Sequence, residues 1–330
     1  MKKITTLIFF FTLFFTYGQQ SPLMRFDDKI RIKEAMDISN QVGDKIWKGI
    51  NEIPFVVILV TDSIEFLINH PYPSNDFKIS EHDTILNTNI YYRPRKFQKS
   101  FLATFPAVNG VNCIVVGTPE NTKKTSADWT LTLLHEHFHQ FQFTYPDYYK
   151  SVNNLDLSGG DETGMWQLNY DFPYENESII NQYKKYIESL FKAVSSIDKK
   201  TFKKELKKYY KERSKFKMLL KTADYSYFSF QIWQEGIARY TEYMFLQTID
   251  NYQPSKEMKE LEDFISFTTL KEDFLQREKN SLLNSKLNID KRICFYAIGF
   301  YEGLLLDKIN PKWQDKYLTE KFYIEKYFND

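Results

Sequence analysis

The chain has 330 residues, of which 42% are hydrophobic and 26% charged, with a formal net charge of +1 at pH 7. That balance gives no electrostatic reason to expect nucleic acid or a membrane surface as partner. The length suits one large domain or two lobes sharing a cleft.

Met1 to Gly18 reads as a secretory signal peptide. Lys2 and Lys3 form its charged start, Ile4 to Phe15 its apolar core, and Thr16-Tyr17-Gly18 a cleavage end before Gln19. The apolar core is too short to span a bilayer, and the alternative is an uncleaved anchor. Cleavage would remove two lysines and leave a net charge of about −1. No cysteine follows the cleavage region, so a lipid anchor is not expected, and the longest later apolar run, Phe55 to Val60, is strand-sized. The mature chain is therefore expected to be secreted or periplasmic, without stable membrane insertion.

Residues 19–145 read as an α/β lobe. Periodicity predicts a helix from about Asp27 to Trp47, a strand at Pro54 to Thr61 and a helix near Ser63 to Ile68. Strand-like runs follow at Ile85 to Tyr92, Ser100 to Phe105 and Val111 to Gly117. Cys113 lies in the last of these and Cys294 in a later helix-like run. They can pair in an oxidising compartment or remain two buried thiols. A sheet that leads into a metal-binding helix is the order expected if one strand edge holds an extended peptide.

From Thr125 to Phe143 there is no proline or glycine. Thr125 or Ser126 can cap a helix there, with Asp128 placed as in a capping box. Leu131, Leu134, Phe138 and Phe141 recur at helical spacing and form an apolar stripe. The helix carries His135-Glu136-His137-Phe138-His139, a His-Glu-x-x-His pattern. Residues four apart stand above one another, so His135 and His139 can present nitrogens to one metal ion, with Glu136 beside it as a general base. His137 points elsewhere, about 200° round from His135 at 3.6 residues per turn, and reads as a structural or surface histidine.

Residues 146–330 read as a largely helical lobe. Ser158 to Gly164 is a loop, and Trp166 and Tyr170 to Tyr174 are aromatics that either pack that loop or line a cleft. Residues 175–222 read as an insertion, a helical hairpin whose second helix carries a solvated lysine face.

A catalytic zinc site needs a third protein ligand and leaves its fourth position for water. Only His70 and His82 exist outside the motif, and Gln142 and Tyr145 stand where an x-x-Gly-x-x-His continuation would need glycine and histidine. A carboxylate is therefore expected. Glu235 is the leading candidate: Trp233, Ile237, Tyr240 and Met244 form one face of its helix, and Glu235 lies opposite. Gly236 and Ala238 would keep that helix slim where it approaches the histidines. Glu242 and Glu162 are substitutes, and Glu242 could instead orient a ligating histidine. Taken alone, Glu235 also reads as a surface carboxylate paired with Arg239.

A His-Glu-x-x-His helix followed by Glu-Gly-x-Ala-x-Tyr resembles the gluzincin zinc metallopeptidases, the thermolysin and aminopeptidase-like group. The resemblance covers about thirty residues. It implies an α+β, zincin-like, two-lobed fold, Zn2+ as cofactor, His135, His139 and Glu235 as ligands, and Glu136 as the base. Three features depart from the group. Ninety-five residues separate His139 from Glu235, no Gly-x-Met-Glu-Asn-like segment precedes the motif, and Arg239 stands where the thermolysin branch has an acid. The aminopeptidase-like branch stabilises the reacting oxyanion with a tyrosine, which brings in Tyr296 or Tyr301 of a helix that places Tyr296, Gly299 and Gly303 on one side; Arg239 is the other donor. The expected function is hydrolysis of peptide bonds in a peptide or protein substrate by Glu136-assisted attack of water. A zinc amidase acting on cell-wall or other amides, and a catalytically silent metal-binding scaffold, are the alternatives.

Overall fold

A computed structural model describes residues 21–249 and 252–329, so the leader read from the sequence lies outside the described residues. The chain is α+β, with one mixed sheet of six strands followed by helices. The strands are β1 (Val57–Val60), β2 (Ile64–Ile68), β3 (Lys78–Asp83), β4 (Thr88–Pro94), β5 (Leu102–Val108) and β6 (Val111–Gly117), in the order β3-β4-β2-β1-β6-β5. Only β1 and β6 run parallel; the other neighbours are antiparallel.

β1 is buried on both sides because its alternate residues serve two cores. Val57 and Leu59 join the large core under the helices, while Ile58 and Val60 join a smaller one with Leu67, Phe77, Cys113 and Val115. The large core runs without interruption from Met24 to Phe328 and so includes residues from both sides of position 145. Cys113 and Cys294 fall in different cores as buried free thiols.

Two elements differ from the sequence expectation. Ser63 to Ile68 is not helical: a tight turn, closed by Thr61 N–H donating to Ile64 O at 2.9 Å, returns the chain as β2 antiparallel to β1. Ile64, Phe66 and Ile68 have strand spacing, and a run this short fits either period until a partner strand is present. β3 was not anticipated, since Lys78 to Asp83 is a mostly polar edge strand without an apolar alternation. β5, at the opposite edge, contains Pro106, which an edge strand tolerates, with a register shift before Val108.

The N-terminal helix, Phe26–Ile46, and the histidine helix, Ser126–Phe143, pack together beside the sheet. Thr125 caps the histidine helix, its side chain accepting from Asp128 N–H at 3.3 Å. Gln140 Nε2 fastens that helix to the sheet by donating to Val56 O at 3.0 Å and Asn112 O at 2.8 Å. The hairpin expected in residues 175–222 is present as the helices Glu177–Ser195 and Lys199–Leu219, and the lysines of the second are exposed apart from the half-buried Lys215. Trp166 packs on Phe230 and Tyr170 on Tyr227, so the aromatic segment is seated on the helix Thr222–Gln231.

That helix runs through a π turn, Ile232–Gly236, into the helix Ile237–Thr248. The final long helix, Cys294–Ile309, crosses the π turn at two glycines. A Cβ on Gly299 would stand 2.4 Å from Gly236 Cα, and one on Gly303 2.6 Å from the Tyr240 ring. Gly236 thus admits the final helix rather than the histidine helix. Gly299→Ala should destabilise the fold by about 1–3 kcal/mol through overpacking, seen as a lower denaturant midpoint; an unchanged midpoint would show that the crossing can spread at no cost.

Candidate metal centre

The π turn places Glu235 over the histidine helix, and π turns inside α-helices recur at functional sites. His135 Nε2 and His139 Nε2 stand 3.1 Å apart, and Glu235 Oε2 lies 3.7 Å from the first and 3.5 Å from the second. Around a tetrahedral zinc ion with donors at 2.0–2.1 Å, donor atoms are separated by about 3.3–3.4 Å. The three donors therefore fit one small cation, and they form a group able to hold a metal ion.

The other nitrogen of each imidazole is engaged. His135 Nδ1 donates to Glu242 Oε1 at 2.5 Å, and His139 Nδ1 donates to Gln142 Oε1 at 2.6 Å. Both acceptors are oxygens, so both Nδ1 atoms carry protons and both Nε2 atoms turn to the shared point, where a metal would take the place of any proton on them. Gln142 is itself fixed, since its Nε2 donates to Gln234 O at 3.2 Å and Tyr317 Oη at 2.6 Å. Phe143 stacks on the His139 ring at 5.8 Å.

Glu242 is the substitute ligand that proves to orient His135, and Arg239 holds it in turn. Arg239 Nη1 lies 3.0 Å from Glu242 Oε2, and its Nε lies 3.6 Å from Glu278. Burial pushes Glu278 up to about 7, although Arg239 opposes the shift. Glu162, the other substitute, is exposed in its loop and is not part of the donor group.

Charges at the centre respond as a cation site would require. Burial acts to lower the His135 pKa, yet Glu235 and Glu242 push it up to about 9. Burial acts to raise the Glu235 pKa, yet His139 and His135 hold it well below the carboxylate range. Without a metal, an imidazolium proton supplies the positive charge that these carboxylates attract.

Glu136 lies beside the group and is buried. Thr104 Oγ1, on edge strand β5, is 2.8 Å from Glu136 Oε2 and 2.9 Å from Glu136 O. His137 points the other way, stacked on Phe55 at 4.4 Å and bonded to Gln140, as a structural histidine.

Of the two candidate tyrosines, only Tyr296 reaches the centre. Burial and the Glu235 charge together raise its pKa, and the Glu235 carboxylate interacts with its hydroxyl. Tyr301 lies five positions further, about 140° round the helix, packed on Phe191 and Phe300 at 5.8 and 4.9 Å. That corrects the expectation that it could face the reacting group. Arg239 is also drawn away from the donor role, because its Nη1 donates to Glu242 Oε2 and its Nε faces Glu278 across an ion pair of 3.6 Å.

Four residues that the sequence reading did not single out belong to the surroundings: Gln142, Thr104, Tyr227 and Arg292. Arg292 Nη1 donates to Tyr296 Oη at 2.9 Å. The Glu235 charge acts on both Arg292 and Tyr227. Gln142 alone had a sequence signal, its position three after His139.

Comparison with protein families, with curated proteins and with solved structures finds no match to this chain.

Proposed function

We propose that the chain is an exported, zinc-dependent peptidase of zincin-like fold that holds its metal through His135, His139 and Glu235. The observation that carries this reading is the convergence of two Nε2 atoms and one carboxylate oxygen at tetrahedral spacing, with Glu136 alongside. Two imidazoles and one carboxylate favour zinc over the oxygen-loving calcium and magnesium ions. Export rests on the leader sequence of residues 1–18.

Zinc held there would supply Lewis acidity, lowering the pKa of a water and polarising a carbonyl. Glu136 takes the proton from the attacking water and passes it to the leaving amine nitrogen. The Thr104 hydroxyl holds the Glu136 carboxylate in place for both transfers. Tyr296 accepts a hydrogen bond from Arg292, and its own proton, which faces the Glu235 carboxylate, would turn to the carbonyl oxygen as negative charge grows there. β5 is the outer strand of the sheet, so an extended peptide added to its free edge would run past Thr104 and Glu136.

Purified mature chain should cleave members of a peptide library, lose that activity to a zinc chelator and regain it with zinc. Absence of cleavage, or cleavage indifferent to the chelator, would contradict the reading. Tyr296→Phe should keep its zinc while kcat falls about 10²–10³-fold. Unchanged kcat would remove Tyr296 from the chemistry.

A further inference from the structure

Five of the eight arginines are buried or half-buried: Arg31, Arg93, Arg213, Arg239 and Arg292. The first four each meet a carboxylate, at 3.2, 2.7, 2.8 and 3.0 Å. Among the described residues, Arg292 meets none. Its one hydrogen-bond partner is the Tyr296 hydroxyl, and its guanidinium carbon lies 5.7 Å from the centre of that ring. The other donors of this half-buried guanidinium are not sealed from solvent, and its planar fork is open to an anionic ligand.

Its position relates it to the metal centre. The Tyr296 hydroxyl that Arg292 holds is the same one that interacts with Glu235. The preceding residue, Lys291, adopts φ 48° and ψ −129°, a conformation suited to glycine. The backbone thus sustains local strain at the point that sets where Arg292 begins.

We propose that Arg292 receives a substrate carboxylate, which makes the substrates of this site peptides with an anionic group close to the cleaved bond. The inference rests on the peptidase reading given above. A carbonyl oxygen bonded to Tyr296 and a carboxylate oxygen bonded to Arg292 Nη1 would be separated by three consecutive hydrogen-bond lengths, at most about 8.5 Å. An extended chain advances about 3.3–3.6 Å per residue, so the carboxylate belongs within about two residues of the scissile carbonyl. It can be the C-terminal carboxylate of a short leaving fragment or an acidic side chain at a neighbouring position. A planar guanidinium accepts either one in bidentate fashion.

The test uses the mature zinc-loaded chain and matched peptides: free acid against C-terminal amide, and Asp against Asn beside the cleaved bond. Wild type should prefer the anionic member of at least one pair by about ten- to hundredfold in kcat/KM. A preference in the first pair assigns a terminal carboxylate, and one in the second assigns a side chain. In Arg292→Gln the preference should fall close to one, mainly through KM, while zinc content and thermal midpoint stay as in wild type. Arg292→Lys, which keeps the charge without the fork, should retain part of it.

No preference in wild type, or a preference that survives Arg292→Gln, would overturn the proposal. Titration of N-acetyl-alanyl-aspartate and its doubly amidated analogue, followed by calorimetry, separates this from failure of the peptidase reading. Wild type that cleaves nothing yet binds the acid at least tenfold tighter than the amide, with Arg292→Gln binding both alike, would sink only the peptidase reading. Equal binding of the two by wild type would sink the carboxylate site.

Discussion

Glu136→Gln should leave zinc in place and reduce kcat by about 10³-fold, the scale of a lost general base. The substitution preserves shape, and an amide oxygen can still accept from Thr104 Oγ1, now 2.8 Å from Glu136 Oε2. It cannot take a proton from water. Metal content should be unaffected, because the donors that converge are His135, His139 and Glu235, and Glu136 is held toward β5. Kinetics on a cleaved peptide, with metal analysis of the same sample, check both halves. A variant as active as wild type would remove Glu136 from the mechanism, and one that lost its zinc would make it a ligand.

Replacing the two glutamates of the downstream helix should separate ligation from support. Glu235→Ala removes one of three donors and should weaken zinc binding by more than about 100-fold, whereas Glu242→Ala removes only the acceptor of His135 Nδ1 and should cost about 10–100-fold. The reverse order, measured by chelator competition, would reassign the third ligand. The pH dependence has a definite sign. Zinc needs the neutral His135 imidazole, and the flanking carboxylates hold its proton up to about 9. Below that pH the proton competes, so wild-type affinity should fall about tenfold per unit as pH falls. Glu242→Ala removes part of what retains that proton, so its competition should begin at a lower pH.

The histidine helix was legible because every local signal agreed. Thr125 caps it, no breaker interrupts it, and the stripe from Leu131 to Phe141 buries one side. A carboxylate as third ligand followed from inventory, as no histidine lies beyond His139, and Glu235 from its place opposite the apolar face of its helix. What escaped notice depends on partners distant in sequence. Ser63 to Ile68 becomes a strand only when β1 and β4 flank it. The π turn leaves no composition signature, and Gly236 signals a close approach without showing that the partner is the final helix rather than the histidine helix. Tyr296 and Tyr301 were indistinguishable until the Gly236–Gly299 crossing fixed which side of their helix faces the metal centre. Arg292 stands out only in the fold, where it bonds Tyr296 Oη and pairs with no carboxylate among the described residues. For Gln142 the spacing from His139 was visible, while the acceptor role required the buried contacts of its amide.

The most direct test of the central claim is zinc stoichiometry by equilibrium dialysis for the mature chain and for His135→Ala, His139→Ala and Glu235→Ala. One zinc per wild-type chain, with binding lost or severely weakened in each variant, is the expected result. A wild-type chain that takes up no zinc, or variants that hold it as tightly as wild type, would contradict the account.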